Sequence, residues 1–145
     1  MNHATIARTL LAILCGVQGA ATLAIDLNRT HATNPDWTRH ARFHIVWQAT
    51  SYALLSLLEA ALVLAPGPLT EQRFYLAALL ASIPVLGFFG AFIFRRIYGG
   101  SLFDPNGIHP LRIEVFGTKL QIDMNLAAEV MALLLLISIV ALFRN

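Results

Sequence analysis

Hydrophobic positions in this chain gather into four long blocks, roughly Thr5 to Ile25, Ile45 to Leu64, Phe74 to Phe94 and Leu126 to Phe143. Each block is close to the ~20 residues that a helix needs to cross a ~30 Å hydrocarbon core. Apolar side chains run nearly all round each block instead of along one stripe, which four consecutive helices of a water-soluble bundle would not do. In lipid, backbone amides must find partners within their own segment, so the blocks predict helices. The expected fold is an all-α four-helix transmembrane bundle in one domain, residues 1–145, with helices over about 5–26, 35–64, 71–94 and 123–143.

The polar joints refine this picture. Asn34-Pro35 predicts the start of the second helix, since Asn accepts from free amides and Pro suits the first helical position. Asp36 follows where a negative charge favours the helix dipole. Ala65-Pro66-Gly67-Pro68-Leu69-Thr70 is a tight connection, with Thr70 as the cap of the third helix. Pro84 removes one backbone bond inside that helix and predicts a kink. The long connection from Arg95 to Gln121 holds the turn sequences Tyr98-Gly99-Gly100 and Asp104-Pro105-Asn106-Gly107. Within it Leu111, Ile113 and Val115 alternate with polar residues, as do Leu120 and Ile122, around Phe116-Gly117-Thr118-Lys119. That spacing predicts a short β-hairpin or lid between helices 3 and 4, lying at the membrane surface.

Composition strengthens the membrane assignment: 57% of residues are hydrophobic and 12% charged, and the mean hydropathy is +0.67. The first block carries only Arg8 as a basic leader residue and lacks a persuasive small-x-small cleavage pattern, so it reads as a retained helix. The pI near 9.1 does not point to nucleic acid, because the cations are distributed as topology signals. Arg29, Arg39 and Arg42 fall in the first loop, and Arg95, Arg96, Arg112 and Lys119 in or beside the third; only Arg8, Arg73 and Arg144 lie on the other side. This bias predicts a multi-pass protein of the cell inner membrane with loops one and three in the cytoplasm. Cys15, the single cysteine, reads as a small packing residue of the first helix.

The first helix has two contrasting rows. Ala12, Gly16, Ala20 and Ala24 form a small-residue stripe, which suits close helix approach inside one protomer or across a homodimer. Gln18, Thr22 and Asp26 form a polar row expected to face the bundle interior.

Connectivity places loops one and three on the same side, and that side gathers most of the chemistry. On helix two, His40, His44, Gln48 and Tyr52 follow at i, i+4 spacing; on helix four, Gln121, Asn125 and Glu129 do the same. At 1.5 Å per residue Gln18, Gln48 and Glu129 would lie roughly 6–12 Å below the interface. The expectation is a polar pocket with these three at its floor and the histidines and Asp26 at its rim. His44 and Glu129 are the expected acid–base pair, helped by His40: a histidine beside a membrane-embedded carboxyl suits proton transfer. Asp26, Asn28, His31, Gln48, Gln18, Tyr98 and Asn125 are the expected substrate-binding residues. His31, His40 and His44 form an alternative set of ligands for a divalent transition metal, completed by Asp26 or His109. Glu59, deep in helix two, is not expected to be catalytic; it could be hydrogen-bonded and neutral or end a proton path. No nucleophile elbow, phosphate-cradling glycine loop, dinucleotide fingerprint or Cys-x-x-Cys is present.

The motif Asp26-x-Asn28-x-Thr30-His31-x-x-Asn34-Pro35-x-Trp37-x-x-His40-Ala41-Arg42-Phe43-His44, with Tyr98-Gly99 and Asp104-Pro105 further on, resembles that of a family of small four-helix integral membrane proteins. The resemblance covers about a quarter of the chain by motif and most of it by hydropathy; it implies the four-helix plan and no particular activity. The layout is also similar to that of sterol-isomerase-like and DoxX-like membrane proteins, although shared layout does not carry function.

Three functional expectations follow. The first is an enzyme or binding protein that holds a lipid-like or small apolar molecule between its helices. The second is a metal-binding or small-solute transport protein. The third is a structural membrane subunit whose polar end docks a partner.

Overall fold

The computed structural model describes residues 2–104, 107–115 and 117–145. Four helices carry the fold: α1 (His3–Asp26), α2 (Arg39–Leu64), α3 (Thr70–Phe94) and α4 (Met124–Arg144). All four are long and apolar enough to cross a membrane, consistent with a multi-pass membrane protein. Each chain neighbour packs on the next and α4 closes back against α1, giving a four-membered ring of helices. Between α3 and α4 the strands β1 (Leu111–Val115) and β2 (Thr118–Ile122) pair antiparallel, with Arg112 opposite Gln121 and Glu114 opposite Lys119. Gly117 at φ +77° supplies the left-handed backbone this tight turn requires; Phe116 lies outside the described residues.

Local chemistry sets the helix ends. The Asn2, Thr38 and Asp123 side chains accept from the backbone amides of Thr5, Ala41 and Leu126, satisfying donors that the first turn leaves free. Two ends differ from the sequence expectation. Helix α2 starts at Arg39, not at Pro35, because Asn34 Oδ1 accepts from Asp36 N at 3.0 Å and closes a local turn instead of capping a helix. Thr70 is the first helical residue of α3, preceded by Leu69 in the left-handed region at φ 64°, and its hydroxyl donates to Gly67 O at 3.1 Å. On this far side two arginines tie the connections down. Arg8 donates to Val63 O at 3.2 and 2.6 Å, a cation at the C-terminal end of α2, and Arg73 donates to the carbonyls of Pro66 and Gly67.

The core is concentrated at one end. Ala7, Leu11, Cys15, Val63, Phe74, Ala77, Ala78, Ala81, Leu136 and Ile139 form its buried cluster. Phe74 and Phe143 stack at 3.8 Å, with Tyr75 edge-on to Phe143. Toward loops one and three the packing stops. No residue is buried in 20–26 of α1, 39–48 of α2, 86–94 of α3 or 124–135 of α4. The bundle is therefore closed at the loop-two end and open at the other over the last two turns or more of every helix.

The row of α1 that packs inward is Ala7, Leu11, Cys15 and Gly19. Gly19 meets α2 so closely that a Cβ there would lie 2.8 Å from Ser56 Cβ and 2.9 Å from its Oγ. The neighbouring small stripe faces outward instead: Gly16, Ala20 and Ala24 are exposed, and a Cβ at Gly16 would meet nothing within 4 Å. Of that stripe only Ala12 packs against the core. Below Gly19, the Cys15 thiol lies close to the Glu59 carboxyl. Glu59 is 1% exposed, and its Oε1 has no partner.

Candidate functional site

Loop one is a folded unit built by its own motif residues. Asn28 Nδ2 donates to Ala24 O at 2.9 Å, and Asn28 Oδ1 accepts from the Thr30 amide at 2.8 Å and the Thr30 hydroxyl at 2.6 Å. Asn34, 1% exposed, donates to Thr30 O at 3.2 Å and accepts from Asp36 N. Backbone bonds from Ala32 N to Asp26 O and from Thr33 N to Asn28 O close the loop. Polar residues at this spacing are what a backbone needs to turn without helix or strand. Asn28, expected to bind substrate, thus holds the loop.

The same bonds set the His31 tautomer. The single Thr30 hydroxyl proton goes to Asn28 Oδ1, so the 2.7 Å contact between Thr30 Oγ1 and His31 Nδ1 requires His31 to donate from Nδ1. The Nε2 lone pair of the neutral ring is left free. Trp37 stands edge-on to the imidazole at 5.3 Å, so the ring is fixed on two sides.

From this loop inward, four half-buried groups follow one another at the open end of the bundle. His31 faces Asp26 at the end of α1, within electrostatic reach. Asp26 in turn lies within reach of Tyr52 on α2, and Tyr52 within reach of Glu129 on α4. The four groups come from three helices and loop one. His31 is the side chain of loop one that faces Asp26. Gln18 reaches across to α3 and donates to Ala81 O at 3.4 Å. This carbonyl is one residue past the Leu80 carbonyl that Pro84 leaves without its helical donor.

The helix-two histidines stand elsewhere. His40 and His44 approach at 3.0 Å between their Nε2 atoms, with ring centroids 4.4 Å apart, and both are exposed. His44 stacks on Trp47 at 5.8 Å, beside Phe43; Phe43 and Trp47 are 63% and 59% exposed. The inward face of α2 is Ala49, Tyr52, Ser56, Glu59 and Val63. At 100° per residue His44 lies about 140° round the helix from Ala49, and among the described residues its ring contacts are His40, Phe43 and Trp47, not Glu129. The expected His44–Glu129 pair is not brought together; the side chain of α2 within electrostatic range of Glu129 is Tyr52. Gln48 is exposed and forms no floor.

The three-histidine metal set does not assemble either, because His31 is held in loop one by Thr30 and Trp37 while His40 and His44 face away from the bundle. Among the described residues no group of three or more His, Cys, Asp or Glu side chains is placed to hold an ion.

Tyr98 and Asn125 hold loop three in place. The Tyr98 hydroxyl donates to Ala91 O at 2.8 Å, and its ring lies where a Cβ on Gly100 would fall. Asn125 Nδ2 donates to Leu102 O at 3.1 Å, tying the loop to the first turn of α4. Pro105 and Asn106 of the expected turn lie outside the described residues, but Gly107 N donates to Asp104 O at 2.9 Å across them.

Two residues of the open end were not among the expected site residues. Tyr52 was placed on the histidine face, and its signal was a lone phenol inside an apolar helix. Arg42 lies two turns before Ala49, which returns it to the inward face; its Nε is buried with no hydrogen-bond partner.

No family model, no curated protein and no solved structure matches this chain. The class that fold and site define is a four-helix bundle of membrane-spanning length, closed at one end and polar and open at the other.

Proposed function

We propose that this protein binds, and can convert by proton transfer, a lipid-like or small apolar molecule that enters between the helices at the end bearing loops one and three. The observation that carries this reading is that Asp26 of α1 and Glu129 of α4 both lie within electrostatic range of Tyr52 on α2, in the half of the bundle without a packed core. Ionisable groups at membrane depth are costly and recur where they meet ligand or protons. The apolar body of the ligand lies among the loosely packed helix ends. Its polar end meets Tyr52 and the two carboxyls, where the phenol donates to a ligand oxygen and a carboxyl takes or returns a proton. His31, through its free Nε2, exchanges that proton with water at loop one. The orphaned Arg42 N–H offers a donor at the mouth. Loops one and three lie on the cytoplasmic side of an inner membrane, following the cation bias. The motif of loop one supports membership of the small four-helix membrane family it resembles.

The test is ligand retention. Wild type, Tyr52→Phe and Glu129→Gln are purified in mild detergent, and their organic extracts are compared by mass spectrometry. A molecule present near one equivalent in wild type and depleted about tenfold in both variants supports the reading. Equal extracts from all three oppose it.

The His40–His44 pair favours a second reading, a two-histidine surface site for a divalent transition metal. Two imidazoles at i, i+4 can reach one ion, with water completing its shell. Elemental analysis of wild type beside the His40→Ala/His44→Ala double variant decides it: one equivalent of metal lost in the variant supports the site, and no metal in wild type opposes it.

A further inference from the structure

The β1–β2 hairpin is amphipathic in a way the bundle does not use. In its antiparallel register Leu111, Ile113, Val115, Leu120 and Ile122 share one face, and Arg112, Glu114, Lys119 and Gln121 the other. Leu111 and Leu120 remain 50% and 45% exposed, so among the described residues the apolar face is largely uncovered. An uncovered two-stranded hairpin is marginal in water. This one runs directly into α4 through Asp123, which keeps it at the end of a membrane-spanning helix, where lipid is the adjoining medium.

Beside it opens a cleft of about 660 Å³ between the hairpin, the first turn of α4 and the segment leading into β1. Its polar lining is His109, Arg112 and Gln121, and its apolar lining includes Phe103, Leu111 and Met124. Among the described residues no carboxylate lines it. The Phe103 and His109 rings pack at 5.2 Å, and the Asn125 bond to Leu102 O fixes the adjoining wall. Arg112 is exposed, and among the described residues no hydrogen bond or ion pair engages its guanidinium. Glu114 stands opposite Lys119, not opposite Arg112.

We infer that this cleft binds the phosphate of an anionic membrane lipid, with the guanidinium of Arg112 forked onto the phosphate, His109 and Gln121 donating beside it, and the glycerol and upper acyl carbons against Phe103, Leu111 and Met124. A guanidinium matches phosphate geometry in two parallel bonds, and basic pockets at the cytoplasmic ends of membrane helices suit anionic headgroups. The uncovered Leu and Ile face then rests in the acyl boundary. The site is separate from the Tyr52–Glu129 cluster, so either can stand without the other.

The test uses the full chain in nanodiscs of phosphatidylcholine with or without phosphatidylglycerol, released for native mass spectrometry. The expected result is a one-to-one phosphatidylglycerol adduct preferred about tenfold over phosphatidylcholine. Arg112→Gln should reduce it about tenfold, the effect of losing one charge-assisted pair. Lys119→Gln, on the hairpin but outside the cleft, should stay within about twofold of wild type, since it touches no cleft group. Arg112→Lys keeps the charge and controls for folding; it should retain more adduct than Arg112→Gln, because a point charge still attracts phosphate. Equal retention of both lipids, an unaffected Arg112→Gln, or an equal loss in Lys119→Gln would overturn the inference. Displacement of the lipid by an equal concentration of inorganic phosphate would also overturn it, by making free phosphate the ligand.

Discussion

Gly19→Ala should separate contact from helix propensity at the point where α1 sets the position of α2. The added Cβ would stand 2.8 Å from Ser56 Cβ and 2.9 Å from Ser56 Oγ. Carbon atoms rest at roughly 3.5–4.0 Å, so the two helices must part or turn by roughly 0.7–1.2 Å. Overpacking of this kind costs about 1–3 kcal/mol. Replacing helical glycine by alanine also gains up to about 1 kcal/mol of propensity, so the control is Gly16→Ala. Its Cβ would meet nothing within 4 Å. The difference between the two variants should be about 1–3 kcal/mol, with Gly19→Ala the less stable. Ser56→Gly removes both offending atoms and should restore most of the loss. Stability is read by detergent-denaturant titration followed by Trp37 and Trp47 fluorescence and by circular dichroism. The reasoning also predicts weaker ligand retention in Gly19→Ala, because Ser56 lies one turn from Tyr52. Equal stability of Gly19→Ala and Gly16→Ala would refute the close contact, and with it the rotational setting of α2.

Other outcomes follow from the same structure. Asn34→Ala leaves the Thr30 carbonyl and Asp36 amide without their side-chain partner and should loosen loop one by about 1–3 kcal/mol; faster protease cleavage within 27–38, with the helices intact by circular dichroism, is the readout. Arg8→Met frees Val63 O and should lower the thermal midpoint by the equivalent of about 1–2 kcal/mol, whereas Arg144→Met, exposed at the end of α4, should leave it unchanged. Tyr98→Phe removes the bond to Ala91 O and should raise amide exchange at the end of α3 without altering ligand retention.

The helix count and the hairpin were legible in the sequence because both are written in periodicity: four apolar blocks of membrane length, and alternation across Leu111, Ile113 and Val115. The start of α2 was misread because Asn34-Pro35 is the same signal for a closed turn and for a helix start, and only the Asp36 amide bond distinguishes them. The candidate site was legible as a region and not as a set of partners. Which residues of α2 point inward depends on its rotation about its own axis, fixed by Gly19 against Ser56, 37 positions apart in the chain. Spacing within α2 grouped Tyr52 with His40 and His44, but tertiary packing turned it toward Asp26 and Glu129. Likewise the i, i+4 row of small residues was visible on α1, while beyond Ala12 its neighbouring row does the packing.

The central claim is that the open end holds a ligand against Tyr52 and Glu129, and the most direct measurement is the ligand itself. Wild type, Tyr52→Phe, Glu129→Gln and Arg112→Gln should be purified side by side in one detergent and their bound small molecules quantified by mass spectrometry. The account predicts one species near stoichiometric in wild type and in Arg112→Gln, and depleted about tenfold in Tyr52→Phe and Glu129→Gln, roughly the loss of one buried hydrogen bond to a polar ligand group. The same species at the same level in all four proteins, or none in any, would contradict it.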